Sequence, residues 1–198
     1  MEKILLTDAD GVLFNWEYAF HTWMRFNEYL VLDDSHHVYD LSKKYGLSKT
    51  QSRELVREFN HLPSIGFLPA LRDAEFYVKK LASEGWKFHV ITSLAKTPSA
   101  CELRTQNLKK LFGENTFDRF VYLDTGEDKD VALSEYKNSG LYWIEDKIEN
   151  AEAGLAAGLK PILIEHGHNM HYTNSNIVIK KNWGEVYDYI NIRETSAS

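Results

Sequence analysis

Two carboxylates, Asp8 and Asp10, stand two residues apart where a short apolar run, Lys3 to Thr7, gives way to Gly11. Side chains two residues apart on an extended chain leave it on the same side, and Gly11 lets the backbone turn tightly beyond them. Two carboxylates facing one small space can attack an electrophile, move a proton or hold a hard cation. The other reading is an Asx-type turn in which both accept hydrogen bonds from nearby amides. Three further signals have the same form. Val90-Ile91-Thr92-Ser93 ends in two hydroxyls, suited to phosphate oxygens or to an ordinary strand-end turn. Trp143-Ile144-Glu145-Asp146-Lys147 ends in an acidic pair. Joined to the first pair it would suit Mg²⁺, which takes oxygen ligands and keeps several waters; alone it would favour entry into a helix. Lys129, in Asp128-Lys129-Asp130, could neutralise a phosphate or a nucleophile, or be an ordinary solvated lysine.

The elements that must position these residues follow from patterning. Lys3 to Thr7, Trp86 to Thr92, Arg119 to Leu123, Leu141 to Ile144 and Pro161 to Ile164 are short apolar runs of the kind that form fully buried strands. Segments with helical periodicity separate them. Leu71 to Glu84 stops at Gly85, Thr97 caps a helix with Pro98 in its first turn that ends before Gly113, and Asp130 to Tyr136 and Ile148 to Ala157 follow. Asn182 caps a last helix from Trp183 to Ile190, and Glu194 to Ser198 reads as a frayed tail. Alternating strands and helices imply an α/β fold with a doubly wound parallel sheet. Phe14 to about Pro69 breaks the rhythm: it is helical, with an aromatic-rich stretch from Phe14 to Leu30 and a capping box at Ser48 to Gln51 leading into Ser52 to Asn60. Such an insertion after the first strand sits above that strand's carboxyl end, where ligands bind in open α/β sheets.

A chain of 198 residues holds about one domain with room for an insertion, and 43% hydrophobic with 13% aromatic residues supplies its core. With 23 basic and 29 acidic residues the net charge is −6, which disfavours a nucleic-acid polymer as partner. The single cysteine, Cys101, excludes an internal disulfide and any multi-thiolate metal site in one chain. No apolar run approaches membrane-spanning length and the N-terminal run turns acidic at Asp8, so the expected protein is cytoplasmic, with no membrane partner.

In chain order, Asp8-Ala9-Asp10-Gly11-Val12, Thr92-Ser93, Lys129 and Glu145-Asp146 resemble the four motifs of the haloacid dehalogenase (HAD) superfamily of phosphotransferases, over residues 3 to about 165. The resemblance implies a HAD-like Rossmannoid core, residues 1–13 and 72–198, with a small C1-type helical cap, residues 14–71. Within the superfamily the short cap, Phe67-Leu68-Pro69-Ala70-Leu71 and Thr92-Ser93-Leu94 with Lys96 beyond it are most similar to the 5'(3')-deoxyribonucleotidase group, although that group usually has Pro-Gly where Pro69-Ala70 stands. What it implies is a Mg²⁺-dependent phosphomonoesterase acting on nucleoside monophosphates, deoxyribonucleotides first. Asp8 would be the nucleophile that forms an aspartyl-phosphate, and Asp10 the acid and then the base. Mg²⁺ would be held by Asp8, the Asp10 carbonyl and Asp146, with Glu145 either a further ligand or acting through a metal-bound water. Thr92, Ser93, Lys129 and the amides of the Asp10-Gly11 turn would hold the phosphoryl oxygens. The alternatives are another small phosphate ester or a nucleic-acid 3'-phosphate end as substrate, and a non-catalytic nucleotide or metal sensor. The expected partner is a small phosphorylated molecule, the expected state a monomer or homodimer.

Trp16, Phe20 and Trp23 form an aromatic stripe at helical spacing, which serves either the cap's own core or base stacking. Phe14 and Trp16, nearest the catalytic turn, are the stacking candidates. His166, His168 and His171 follow the fifth strand without a zinc-site template, and read as a polar loop bordering the substrate or as a metal site. Cys101 reads as a packing residue.

Overall fold

A computed structural model of the chain describes residues 3–32, 38 and 40–196. The five apolar runs fold as β1 (Lys3–Thr7), β2 (Trp86–Ser93), β3 (Phe117–Leu123), β4 (Tyr142–Glu145) and β5 (Lys160–Ile164), and a further strand, β6 (Val178–Lys180), joins the edge. They form one sheet in the order β3-β2-β1-β4-β5-β6, with every pairing parallel. Parallel sheets are covered on both faces, so their strands carry consecutive rather than alternating apolar residues. Leu5 with Leu6, Val90 with Ile91, and Ile162 through Ile164 are all buried accordingly. β6, three half-buried residues ending in lysine, has too short a pattern to announce itself.

Helices α4 (Ala74–Ser83), α5 (Pro98–Phe112), α6 (Asp130–Ser134), α7 (Ile148–Ala156) and α8 (Trp183–Ser196) connect and flank the strands; numbering counts the three helices described below as α1 to α3. The expected caps are present, with Thr97 Oγ1 accepting the Ala100 amide at 3.3 Å and Asn182 Oδ1 accepting the Glu185 amide at 2.9 Å. α8 continues through Ser196, so the tail expected to fray from Glu194 is helical that far; residues 197–198 lie outside the described residues. Among the described residues no helix is long and apolar enough to cross a membrane.

Between β1 and α4 the chain forms α1 (Trp16–Phe26), α2 (Leu41–Tyr45), α3 (Lys49–His61) and a 3₁₀ turn (Pro63–Phe67). Residues 33–37 and 39 of the expected cap lie outside the described residues. Ser48 and Gln51 make the reciprocal capping box that starts α3. The segment's entry and exit are bound side by side, Asn15 N to Pro69 O at 2.9 Å and Leu71 N to Leu13 O at 2.8 Å, which sets α1 to α3 over the carboxyl end of β1. The aromatic stripe of α1 turns onto α3: Trp16 and Phe20 stack at 4.7 Å, and both meet the edge of Phe59, at 5.5 and 5.4 Å. This packing continues into the main core through Leu13, Phe14, Leu68 and Leu71.

The order places β1 in the centre. The chain runs outward through β2 and β3, then returns to lay β4 against the other side of β1. The order therefore reverses between β1 and β4, which is where an open α/β sheet forms a crevice beyond its strands' carboxyl ends.

Candidate active site

Thr7 of β1 is level with Ile144 of β4, and the Asp8 amide donates to the Ile144 carbonyl at 2.9 Å. The next residue of each strand end therefore enters the same crevice. Asp8, Glu145 and Asp146 each offer a carboxylate oxygen, and these atoms lie within 4.8 Å of one another. Asp8 Oδ1 accepts the Ala9 amide at 2.7 Å, while Oδ2 lies 2.7 Å from Lys129 Nζ. Lys129, placed by the entrance to α6, is buried and also donates to Glu145 Oε2 at 2.7 Å. Glu145 Oε1 accepts the amides of Asp146 and Lys147, each at 3.1 Å. Both oxygens of Glu145 are thus engaged by the protein.

Burying three carboxylates around one ammonium disfavours their charged forms. Burial pushes the Asp8 carboxyl up to about 6, with Lys129 opposing the rise. Burial and the neighbouring Asp8 push Asp146 up to about 7. Glu145 is raised by burial too. Burial alone would lower Lys129, but Asp8 and Glu145 together hold it above the usual lysine range, so it stays charged.

The turn after β1 is tightly bonded. Leu13 and Phe14 both donate to the Ala9 carbonyl at 2.8 Å, and Trp183 Nε1 donates to the Val12 carbonyl at 2.9 Å. Gly11 has φ +75°, and a Cβ there would collide with the Asp146 carboxylate, so glycine is required on both counts. Its expected part in phosphate binding through the amide is not met: Gly11 N donates to Phe14 O at 2.9 Å, because the turn closes on itself. Ala9 N is likewise taken, by Asp8.

Thr92, at the end of β2, borders the same crevice, and its buried hydroxyl has no hydrogen-bond partner. Ser93 Oγ reaches the Glu127 carbonyl at 3.3 Å. Thr125, in the loop after β3, also lines the crevice with a buried, unpartnered hydroxyl. Nothing in its Asp124-Thr125-Gly126 setting marks it beyond an ordinary turn.

Above these groups lies a cavity of about 1070 Å³ between the sheet edge and α1 to α3. Trp16 and Asn60 line it, joined by Trp16 Nε1 donating to Asn60 Oδ1 at 2.9 Å. Phe14 does not reach it. That ring is 0% exposed, 6.1 Å from Phe112 and beneath Arg104, because the residue closes the turn and packs into the core. A stacking role for Phe14 is therefore corrected to packing.

His166 and His168 line the cavity with their rings stacked at 5.6 Å. His166 Nε2–H donates to the Gly11 carbonyl at 2.7 Å and His168 Nε2–H to the Asp146 carbonyl at 3.0 Å. Burial holds both below the usual histidine range, His166 at about 4. Buried Asn169 ties the loop to the site through Asp146 O and Ile164 O, both at 2.8 Å. These histidines brace the turn after β1 and the segment that follows β4. The cluster suited to a metal among the described residues is the carboxylate one.

A residue missed in the sequence is Arg104. It lies on α5, 0% exposed, and forms an ion pair with Asp10. The signal was available: Ala100, Arg104, Asn107 and Leu108 share the buried stripe of α5, where an arginine needs a partner.

No family model matches the chain, and no curated protein matches it. Solved structures do match. A haloacid dehalogenase-like family hydrolase from Streptococcus pneumoniae is 18% identical, with 95% of this chain and 98% of that chain covered and a TM-score of 0.64. A predicted phosphatase from Clostridium acetobutylicum is 14% identical, with 97% and 99% covered and a TM-score of 0.64. D,D-heptose 1,7-bisphosphate phosphatase from B. bronchiseptica, complexed with magnesium and phosphate, is 12% identical, with 96% and 99% covered and a TM-score of 0.59. At these identities the likeness is one of fold, the six-stranded parallel α/β sheet with flanking helices.

Proposed function

We propose that the chain is a divalent-metal-dependent phosphatase of the HAD type that hydrolyses phosphate monoesters, with nucleoside monophosphates, deoxyribonucleotides first, as its substrates. The observation that carries this reading is the buried Asp8–Lys129–Glu145 array beside Asp146 at the floor of a large cavity. Neighbours in fold support it, one a bisphosphate phosphatase holding magnesium and phosphate and another a predicted phosphatase.

The donor set fits Mg²⁺. All of its members are hard oxygens, and Asp8, which shares its ammonium with Glu145, stays raised with Asp146 above the usual carboxylate range, so further positive charge would suit their charged forms. Asp8, Asp146 and the Asp10 carbonyl would hold the ion. Glu145, whose oxygens hold Lys129 and two amides, would act on the site through those groups. When bound, the cation offsets repulsion between the carboxylates and the phosphoryl dianion.

Asp8 attacks phosphorus and becomes the aspartyl-phosphate, the leaving alkoxide takes a proton from Asp10, and Asp10 then removes a proton from the attacking water. Lys129 orients Asp8 and offsets charge on the transferring group. Thr92 and Thr125, whose buried hydroxyls line the crevice without partners, donate to phosphoryl oxygens, with Ser93 beside them. The cavity exceeds what a phosphate needs and matches the size of sites for whole small molecules. Trp16 on its wall offers a base a face or edge.

The direct test is phosphate release with Mg²⁺ from 5'- and 3'-nucleotides, deoxynucleotides, sugar phosphates and 4-nitrophenyl phosphate. Turnover of deoxynucleotides with the highest kcat/KM is expected; no turnover of any monoester sinks the phosphatase reading. Trp16→Ala is expected to raise KM for nucleotides about tenfold, within the ~1–3 kcal/mol a stacked base is worth, while sparing 4-nitrophenyl phosphate. Equal losses on both with a lowered melting temperature would assign Trp16 to packing alone.

Asp146→Ala is expected to raise the Mg²⁺ concentration for half-maximal activity by at least the roughly 10–100-fold that losing even an outer-sphere partner costs. Glu145→Gln should move it far less. Titrating activity against Mg²⁺ for both variants checks the assignment, and equal shifts would place Glu145 on the metal.

A further inference from the structure

Asp10, although two residues from Asp8, does not join the carboxylate cluster. Its carboxylate is met by the fork of Arg104, Nη1 on Oδ1 and Nη2 on Oδ2, the latter at 3.3 Å. The two ends of this pair differ in setting. The Asp10 side chain is 23% exposed and borders the cavity, whereas the Arg104 side chain is 0% exposed and does not reach it. The guanidinium lies 5.2 Å from the centroid of the Phe14 ring, and its Nε has no hydrogen-bond partner.

A buried arginine whose hydrogen-bonding capacity is incompletely used is an expensive brace if its purpose is stability alone. Leu or Met would fill the same stripe of α5 at less cost. What Arg104 supplies that an apolar residue does not is a planar two-point contact, which fixes both the position and the plane of a carboxylate. Asp10 otherwise sits at the start of a turn, with two free side-chain torsions.

We propose that Arg104 is the positioning residue of the proton-transfer step: its fork holds the Asp10 carboxylate in the plane from which it reaches the leaving oxygen. The inference rests on the reading of Asp10 as the acid and base of a phosphatase. Arg104 touches neither substrate nor metal, so its effect passes wholly through Asp10. Loss of orientation degrades a reaction in proportion to its need for the oriented group. Formation of the aspartyl-phosphate depends on Asp10 for an alkyl phosphate, whose leaving group must be protonated, and much less for an aryl phosphate, whose leaving group departs as a stable anion; hydrolysis of the aspartyl-phosphate needs Asp10 with either ester.

The experiment compares wild type, Arg104→Met, Arg104→Lys, Asp10→Asn and the Asp10→Asn/Arg104→Met double variant, with saturating Mg²⁺, on a deoxynucleoside monophosphate and on 4-nitrophenyl phosphate. Melting curves report folding. Arg104→Met is expected to lower the first-turnover rate of alcohol release from the alkyl ester on the order of 10²-fold, to leave KM within about threefold, and to change the first-turnover release of 4-nitrophenolate little, although later turnovers of both esters slow. Arg104→Lys keeps the buried charge and loses the fork, so its loss should be intermediate and still selective for the alkyl ester. Adding Arg104→Met to Asp10→Asn should cost nothing further in kcat, since residues acting as one unit are not additive. If Arg104→Met does not fold, the selectivity of Arg104→Lys decides. Equal first-turnover losses on the two esters, or full additivity in the double variant, overturn the proposal by showing a structural brace. Failure of the wild type to release phosphate from any monoester instead removes the phosphatase reading, and this inference with it.

Discussion

Asp8→Asn is expected to abolish turnover, on the order of 10⁴-fold or more, the scale of losing an enzyme's nucleophile, while the protein stays folded. The amide has the shape of the carboxylate and cannot form the acyl-phosphate bond. Asp8 sits where burial has already pushed its carboxyl up to about 6, so a neutral group is tolerated there. Its Oδ1 contact with the Ala9 amide and its Oδ2 contact with Lys129 cannot both be kept by a single amide oxygen. Lys129 retains Glu145 at 2.7 Å, so the cost should be that of about one hydrogen bond to a charged group, roughly 1.5–3 kcal/mol. Acid-quenching the enzyme during turnover of a ³²P-labelled ester should trap label on wild type and none on the variant. Residual activity above a tenth of wild type, or label retained by Asp8→Asn, removes Asp8 from the nucleophile's place.

The sequence made these residues legible because each lies where an apolar strand ends. Buried parallel strands read as unbroken runs, so the polar residues that end each run mark the sheet's carboxyl edge; Thr7-Asp8, Thr92-Ser93 and Glu145-Asp146 all satisfy that rule. The caps at Thr97, Ser48 and Asn182 were legible for a similar reason, since one side chain satisfies amides three residues ahead. Signals that depend on tertiary partners were not. Phe14 and Trp16 look equivalent in a string of aromatics, and only the closing of the turn onto Ala9 and Pro69 sends the first into the core while the second lines the cavity. Gly11 was legible as the residue that lets the chain turn, and its φ of +75° agrees; that the turn consumes its amide, and that Asp146 crowds its missing Cβ, depend on tertiary partners. The buried stripe of α5 marks Arg104 as an arginine in need of a partner, but the carboxylate it holds lies 94 residues away, a separation over which no local pattern names that partner. β6 and α2 are three and five residues long, below the length at which a period can be read.

Lys129→Met should produce the largest loss of stability, with a pH dependence that identifies its cause. Lys129 lies 2.7 Å from both Asp8 and Glu145, and removing one partner of a buried ion pair typically costs about 3–5 kcal/mol because the remaining charge is left uncompensated. Asp8 and Asp146 titrate in the folded protein at about 6 and about 7, above the ~3.9 of an unfolded aspartate. The folded state therefore binds these protons more tightly than the unfolded one. Their contribution to stability is fully present below about pH 4 and is lost as the pH rises through 6 and 7. Lys129 holds Asp8 and Glu145 down against burial, so its removal raises both further and steepens that loss. The gap between wild type and Lys129→Met should accordingly be narrow near pH 5, where protonation neutralises the carboxylates, and widest near pH 8. Denaturant unfolding of the metal-free proteins across this range measures it. A gap of constant size would instead assign the effect to the lysine stem, whose ammonium lies 5.2 Å from the Trp143 ring centroid, and would make the residue a packing element. Added Mg²⁺ should recover part of the lost stability at pH 8, by supplying positive charge to the same carboxylates. Turnover should stay low even then, because the charge would no longer lie beside Asp8 Oδ2, where Lys129 holds the attacking group in place.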